Sequence, residues 1–183
     1  MGAPFDADGQ LLNAGSVCVY WYNGTSWLQR FKTHGSGADR SLGYSVSIEG
    51  NYAVAGMPGI GGGIRMFFNT GNNWGTYAND YISNPTDNVT KFGSSTIISG
   101  DYMIIGAESD PPATDLNTSR AFIYRKVGTY WQKLQTITDP LSGTGYLSRT
   151  YSSVAIDGVT RRFIIGAPWT FNAVGKAILG KVN

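Results

Sequence analysis

The chain has 183 residues and a formal net charge of +2, from 14 basic and 12 acidic side chains. This length suits one domain with a substantial core, and the small net charge argues against nucleic acid or an anionic membrane as a partner. A single Cys and a single His exclude an internal disulfide framework, a cysteine-rich zinc site and any site that needs two histidines. Glycine, at 25 residues, is about twice as frequent as usual and favours a turn-rich fold.

Residues 1–43 hold part of a unit that recurs later in the chain. The tripeptide GAP at 2–4 is its first segment, and the run SVCVYWY at 16–22 predicts a strand. Both faces of this strand are apolar or aromatic, so we expect it to be covered on both sides. The dipeptide NG at 23–24 is typical of a tight hairpin with positive backbone angles, and it leads to Trp27.

Two acidic residues near the start have the spacing of a metal site. Asp6 and Asp8, in PFDADGQ, could hold a weak cation together with backbone carbonyls, or they could lie in a polar connection between two strands. His34 lies near Asp39, but no nucleophile motif accompanies it, so we expect a solvent-facing histidine in a loop. Cys18 lies between apolar neighbours and is expected to be a small buried hydrophobe.

Three later segments align with one another and define a repeat of about 50–60 residues. They are YSVSIEGNYAVAGMP from 44, SSTIISGDYMIIGAE from 94 and SSVAIDGVTRRFIIGAP from 152. A run of apolar residues follows the GAP at 2–4 and each of these segments, and after the first three of the four copies it reaches a turn and a tryptophan: Trp27, Trp74 and Trp131. We expect these tryptophans to pack between units rather than to form platforms for sugars. The glycines at 61–63 lack the ending and helix of a phosphate loop and predict a loop leading into a strand.

No window shows sustained helical periodicity, and short β-rich runs alternate with hairpin-sized turns. The sequence therefore predicts an all-β fold of four-stranded antiparallel sheets that stack as blades of a β-propeller. It predicts about three and a half blades in an incomplete ring. The expected division is a partial blade and connection at 1–43, blades at 44–91 and 92–150, and an incomplete blade at 151–183.

The third unit resembles a known repeat. Phe92-Gly93, followed by IISGDY at 97–102 and IIGA at 104–107, resembles the FG-GAP repeat, the blade unit of the integrin α-subunit propeller. Segments 43–58 and 151–168 are similar, with Tyr and Ser in place of the leading Phe or Gly. The resemblance implies an extracellular binding or adhesion propeller, usually of seven blades, and three units are too few to close such a ring.

The resemblance also implies calcium in members that carry a D-x-D-x-D-G hairpin. Here the corresponding hairpins are EGN at 49–51, SGD at 99–101 and DGV at 157–159. Each has one carboxylate, which cannot supply the six to eight oxygens of a calcium shell. We therefore expect no calcium in these hairpins and no cofactor.

The longest and most polar segments, expected at one end of the sheets, are the candidate ligand-binding loops. The residues that we select from them on loop position alone are Asp39, Arg40, Asp110, Asp115, Arg149 and Trp169. Three sequons for N-glycosylation, compatible with secretion as a glycoprotein, begin at Asn23, Asn88 and Asn117.

Three functions remain open from the sequence. The first is a non-catalytic module, extracellular or on the cell surface, that recognises a protein or glycan through its loops. The alternative is a structural propeller segment that self-associates or completes a ring within a larger surface assembly or filament. The third is an accessory domain of an enzyme whose catalytic part lies elsewhere. None of them involves nucleic acid or membrane insertion.

Overall fold

A computed structural model describes residues 1–71, 73–76, 80–85, 90–108, 119–138, 153–167 and 175–183. All the regular structure in these residues is β, in fifteen strands, and every pair of neighbouring strands is antiparallel. The all-β prediction is confirmed. Over the same residues, no helix with the length and hydropathy needed to cross a bilayer is found.

The N-terminal sheet has three strands, in the order β1 (Gly2–Ala3), β2 (Ser16–Tyr22) and β3 (Trp27–His34). The β2–β3 hairpin differs from the two-residue turn predicted, because only Gly24 has a positive φ. The Asn23 side chain instead accepts hydrogen bonds from the backbone N–H groups of Thr25 and Ser26, which builds a longer turn.

The second sheet contains five strands, although the sequence predicts four. They are β4 (Ser45–Glu49), β5 (Tyr52–Gly56), β6 (Gly63–Asn69), β7 (Trp74–Gly75) and β8 (Tyr81–Ser83). β7 and β8 pair with opposite ends of β6, so they share the position of the expected fourth strand. The glycines at 61–63 do form the loop that leads into β6, with positive φ at Gly61 and Gly62.

The third sheet has the predicted four strands. They are β9 (Phe92–Ser99), β10 (Tyr102–Ala107), β11 (Arg120–Val127) and β12 (Tyr130–Thr138). The C-terminal sheet begins at the predicted position and has three strands, which are β13 (Ser153–Asp157), β14 (Arg162–Ala167) and β15 (Lys176–Lys181).

The four sheets pack face to face in chain order, with an apolar core at each of the three junctions. Val17, Ala53 and Phe67 belong to the first core, Val54, Met103 and Phe122 to the second, and Ile104, Phe163 and Ile165 to the third. The inner strands of the two middle sheets, β5, β6, β10 and β11, therefore bury apolar residues on both faces. This explains why β10 is buried at every position. The described strands do not close a ring.

Side chains on the first strand of the second sheet bind the first strand of the third. Ser45 Oγ donates to the Gly93 carbonyl at 2.9 Å, and Ser47 Oγ accepts from the Ile98 N–H at 3.1 Å. The Glu49 carboxylate accepts from the Gly100 N–H at 2.8 Å. These bonds satisfy backbone groups of β9 and of the turn after it, along an edge that none of the described strands covers, and they fix the register of one sheet on the next.

A glycine of the repeat sits at the close approach between the first and second sheets and at that between the second and third. A Cβ on Gly2 would lie 1.9 Å from the Gly43 carbonyl oxygen, and one on Gly56 would lie 1.9 Å from that of Gly93. Glycine is required at these positions because any side chain would push the neighbouring sheet away.

Candidate functional site

Three loops at one end of the first two sheets form a single connected surface, which we call the loop cluster: residues 8–14, 37–42 and 57–62. The Asp39 N–H donates to the Leu12 carbonyl at 2.9 Å, and the Ile60 N–H donates to the Asp39 carbonyl at 2.9 Å. The segment around Asp39 therefore lies between the other two loops and is bonded to both.

Left-handed backbone at non-glycine residues gives the loop cluster its shape. Asn13, Asp39 and Ser41 have φ values of 50°, 54° and 57°. Asn and Asp tolerate this region better than other residues because their short side chains form local hydrogen bonds. Asn13 Nδ2 donates to Asp39 Oδ1 at 2.9 Å, so the two strained residues support each other.

Two of the predicted ligand-binding residues, Asp39 and Arg40, lie together in the loop cluster. Asp39 is exposed, and Arg40 donates from Nη1 to the Ile60 carbonyl at 2.9 Å. Both side chains thus have a structural partner and still face the surface.

The exposed part of the loop cluster is apolar as well as charged. Leu12 is 65% exposed and Ile60 is 66% exposed, on either side of Asp39. Beneath them Leu42 is fully buried in the first core. The sequence reasoning selected the charged residues and missed these two apolar ones. The signal that could have found them is a large apolar residue inside a loop of small and polar residues, as in QLLNAG at 10–15 and PGIGGG at 58–63.

Asp6 takes part in a polar cluster on the outer face of the N-terminal sheet. Its Oδ2 atom accepts from Ser16 Oγ at 2.7 Å and lies 3.0 Å from Lys32 Nζ. The Ser16 bond, and then the Lys32 bond, hold the pKa of Asp6 below its usual value, and the bond to Asp6 raises the pKa of Lys32.

His34 joins this cluster, and the expectation that it lies in a solvent-facing loop is wrong. It is the last residue of β3, its side chain is 28% exposed, and Nε2 lies 3.5 Å from Asp6 Oδ2. On its other side Nδ1 lies 3.9 Å from Asp8 Oδ1. The strand continues to His34 because it pairs with Ser16, the residue that also binds Asp6.

Salt bridges hold the polar cluster together, and the Lys32 ammonium lies directly beside the Asp6 carboxylate. Across the described residues, no three His, Cys, Asp or Glu side chains converge on a point suited to a metal. The Ser16 hydroxyl donates to Asp6, so the hydrogen-bond pattern also differs from that of a Ser-His-Asp nucleophile.

An apolar groove of about 650 Å³ separates the N-terminal sheet from β4 and β5. The side chains that line it include Val17, Val19, Trp27, Val46 and Ile48. β1 and Met1 pair with β2 from Ser16 to Cys18, and the groove lies beside the following part of β2. Val46 and Ile48 are exposed at the groove.

The groove overturns two expectations about β2. We expected the strand to be covered on both sides, but Tyr20, Trp21 and Tyr22 are exposed. Cys18, expected to be buried, is half-buried at the groove wall. The amino-acid types are those of a covered strand, but among the described residues no strand pairs with the β1-side edge of β2 along its second half.

The repeated tryptophans have two different environments. Trp74 packs against the first core and Trp131 against the second, as predicted. Trp27 instead is 69% exposed and packs on Tyr22, with ring centroids 5.2 Å apart. The packing prediction is wrong at Trp27 because that part of the face borders the groove.

The other predicted site residues lie outside the described residues, except for Asn23, which is exposed in the β2–β3 turn. Those outside are Asp110, Asp115, Arg149, Trp169, Asn88 and Asn117. No protein-family model matches the chain, and no curated protein matches it either.

Proposed function

We propose that the chain is a non-catalytic binding or adhesion module, extracellular or on the cell surface, that recognises a protein or glycan through loops at one end of its sheets. We further propose that the four sheets are successive blades of an incomplete propeller of the FG-GAP type. The repeated packing of one sheet on the next and the glycines at the close approaches support this architecture.

The observation that carries the binding proposal is the loop cluster. Its loops are bonded to one another through backbone groups, so the surface needs little ordering when a partner arrives. Exposed apolar side chains beside an acidic and a basic group are the composition of a protein-binding surface, in which apolar anchors are surrounded by polar contacts. Leu12 and Ile60 would be the anchors, and Asp39 and Arg40 the polar contacts.

The test is binding of the purified chain to an array of immobilised glycans and extracellular-matrix proteins. We expect saturable binding to at least one of them, weakened at least about tenfold by the double change Leu12→Ser and Ile60→Ser. Val159→Ser is the matched control, because Val159 is 91% exposed in the β13–β14 turn, away from the loop cluster. No binding to any array member, or equal loss in the control, would contradict the proposal.

A second candidate function is a structural propeller segment that associates with copies of itself. Exposed apolar residues at the first junction between sheets and on the last sheet favour it: Val46 and Ile48 at the groove, and Ile164 and Leu179 on the C-terminal sheet. Light scattering on the purified chain tests it. Association above the 19.7 kDa of one chain is expected, and a monodisperse monomer at all concentrations would exclude it.

A further inference from the structure

The C-terminal sheet has one covered face and one free face. On the covered face, Phe163 and Ile165 pack against the third sheet. On the other face, Ile164 is 44% exposed and Leu179 is 74% exposed. The residues of the free face are Ser153, Ala155, Asp157, Arg162, Ile164, Gly166, Ala177, Leu179 and Lys181.

The same face is covered in the two preceding sheets. Val54 and Ile104, which stand where Ile164 stands in the repeat, are buried beneath the following sheet. Gly166 keeps the glycine of the repeat, yet the only described atoms that a Cβ there would approach are those of Ser153, at 3.4 Å or more. The C-terminal sheet thus has the residue pattern of a covered face, and no described element covers it.

The strand register arranges the free face in three rows. Asp157, Arg162 and Lys181 form a charged row, because each is paired with the next across the sheet. Ala155, Ile164 and Leu179 form an apolar row beside it. The third row, Ser153, Gly166 and Ala177, has small side chains only.

We propose that this free face binds the same face of a second copy of the chain, around a two-fold axis parallel to β14. The proposal rests on the second candidate function, self-association, and assigns it a surface. Rotation about this axis places β13 of one copy against β15 of the other, and the two β14 strands against each other. Each row therefore contacts the same row of the second copy, with the order of its three residues reversed.

Reversing the rows makes the face complementary to itself. Asp157 of one copy is opposite Lys181 of the other, and this ion pair forms twice. In the apolar row the small Ala155 is opposite the large Leu179, and Ile164 packs on its own copy. Arg162 meets its counterpart on the axis, but each guanidinium has an Asp157 carboxylate as its neighbour within the row. No other charged side chain belongs to these three rows.

The size of the face sets the strength expected of the dimer. Three strands about 4.8 Å apart, each with five residues at about 3.4 Å, give a face of about 14 by 17 Å. This is small beside a standard interface of about 800 Å² per partner, so we expect a reversible dimer with a dissociation constant on the order of tens of micromolar.

Sedimentation equilibrium of the full chain, from about 5 to about 500 µM, tests the proposal. We expect the mass to rise from 19.7 kDa towards twice that value. Leu179→Glu should weaken the dimer at least about tenfold, because it adds a carboxylate to the apolar row. Val159→Glu is the matched control: it makes the same charge change on an exposed residue of the same sheet, in the turn rather than on the face. Circular dichroism confirms that each variant retains its sheets.

A charge exchange tests the two-fold arrangement itself. Lys181→Glu and Asp157→Lys should each dimerise poorly alone, because like charges then face one another. An equimolar mixture of the two should dimerise again, since one ion pair then keeps its original sign and the other forms with the sign reversed. If the mixture did not dimerise, the proposed two-fold axis parallel to β14 would be wrong. If Leu179→Glu left the association unchanged, the chain would self-associate through a surface other than the free face. A monomer at every concentration would contradict both the dimer face and self-association.

Discussion

Single glycines decide how closely the sheets approach, and two of them differ although they occupy the same position in the repeat. A Cβ on Gly56 would lie against the Gly93 carbonyl of the next sheet, whereas the only described residue near a Cβ on Gly166 would be Ser153 of its own sheet, at 3.4 Å or more. Both have backbone angles that other residues can adopt, because neither has a positive φ. The need for glycine is therefore set by the neighbouring sheet.

Gly56→Ala should destabilise the chain by about 3 kcal/mol or more, because its Cβ would lie 1.9 Å from the Gly93 oxygen and the sheets must separate. Gly166→Ala is the matched control and should change the free energy of unfolding by less than about 0.5 kcal/mol. Urea unfolding of dilute monomer measures both. Equal effects of the two substitutions would contradict this account of the glycines.

Tyr124 gives a pH-dependent prediction. Burial in the second core raises its pKa to about 12, above the value of about 10 for an exposed tyrosine. The folded state opposes ionisation, so the stability associated with Tyr124 is complete below pH 10 and is lost as the pH rises towards about 12. Urea unfolding at several alkaline pH values should show a smaller loss of stability for Tyr124→Phe than for the wild type. The same pH dependence in both proteins would show that Tyr124 is not the group responsible.

Among the strands, β4 and β9 show how an uncovered strand edge is satisfied without a further strand. Ser47 Oγ accepts a hydrogen bond from the N–H of Ile98, a buried residue of β9. β9 pairs with β10 along one edge, and among the described strands none pairs with its other edge. The side chains of one sheet thus replace the missing backbone partner of the next. This arrangement lets two sheets pack at an edge without merging into one.

Ser47→Ala should cost about 1–2 kcal/mol, because it leaves the Ile98 N–H without an acceptor in a buried position. Ser153→Ala, on the exposed face of the C-terminal sheet, is the control and should have almost no effect. Thermal unfolding of both variants provides the measurement. An unchanged midpoint for Ser47→Ala would mean that water replaces the hydroxyl and that the bond has no role in sheet packing.

At the scale of the whole molecule, each sheet packs on the sheets next to it in the chain, and this arrangement implies that stability differs from sheet to sheet. The third sheet has a core on each face and contains Met103, Ile104 and Ile105, all fully buried. In the part of the chain that the structure describes, the N-terminal sheet has a core on one face only, and its Trp21 and Trp27 are exposed. Each sheet is stabilised by its immediate neighbours, so the ends should open before the middle.

Hydrogen exchange should therefore be slowest in β10 and much faster, by about 100-fold or more, in the second half of β2. Mass spectrometry of peptides covering 102–107 and 19–28 provides the comparison. Uniform protection across the chain would contradict the stack of separable units and would indicate a single cooperative core.

The sequence by itself determined the all-β class, the repeat and most strand positions. These depend on local alternation, on turn residues and on spacing that each segment carries within itself. The features that the sequence did not predict depend on contacts between distant parts of the chain. The exposure of β2 and Trp27, the salt-bridged position of His34, the divided outer strand of the second sheet and the apolar tips of the loop cluster depend on which strand or loop lies alongside. Only the tertiary structure decided these features, because the same apolar residue is buried or exposed according to whether a distant part of the chain covers it.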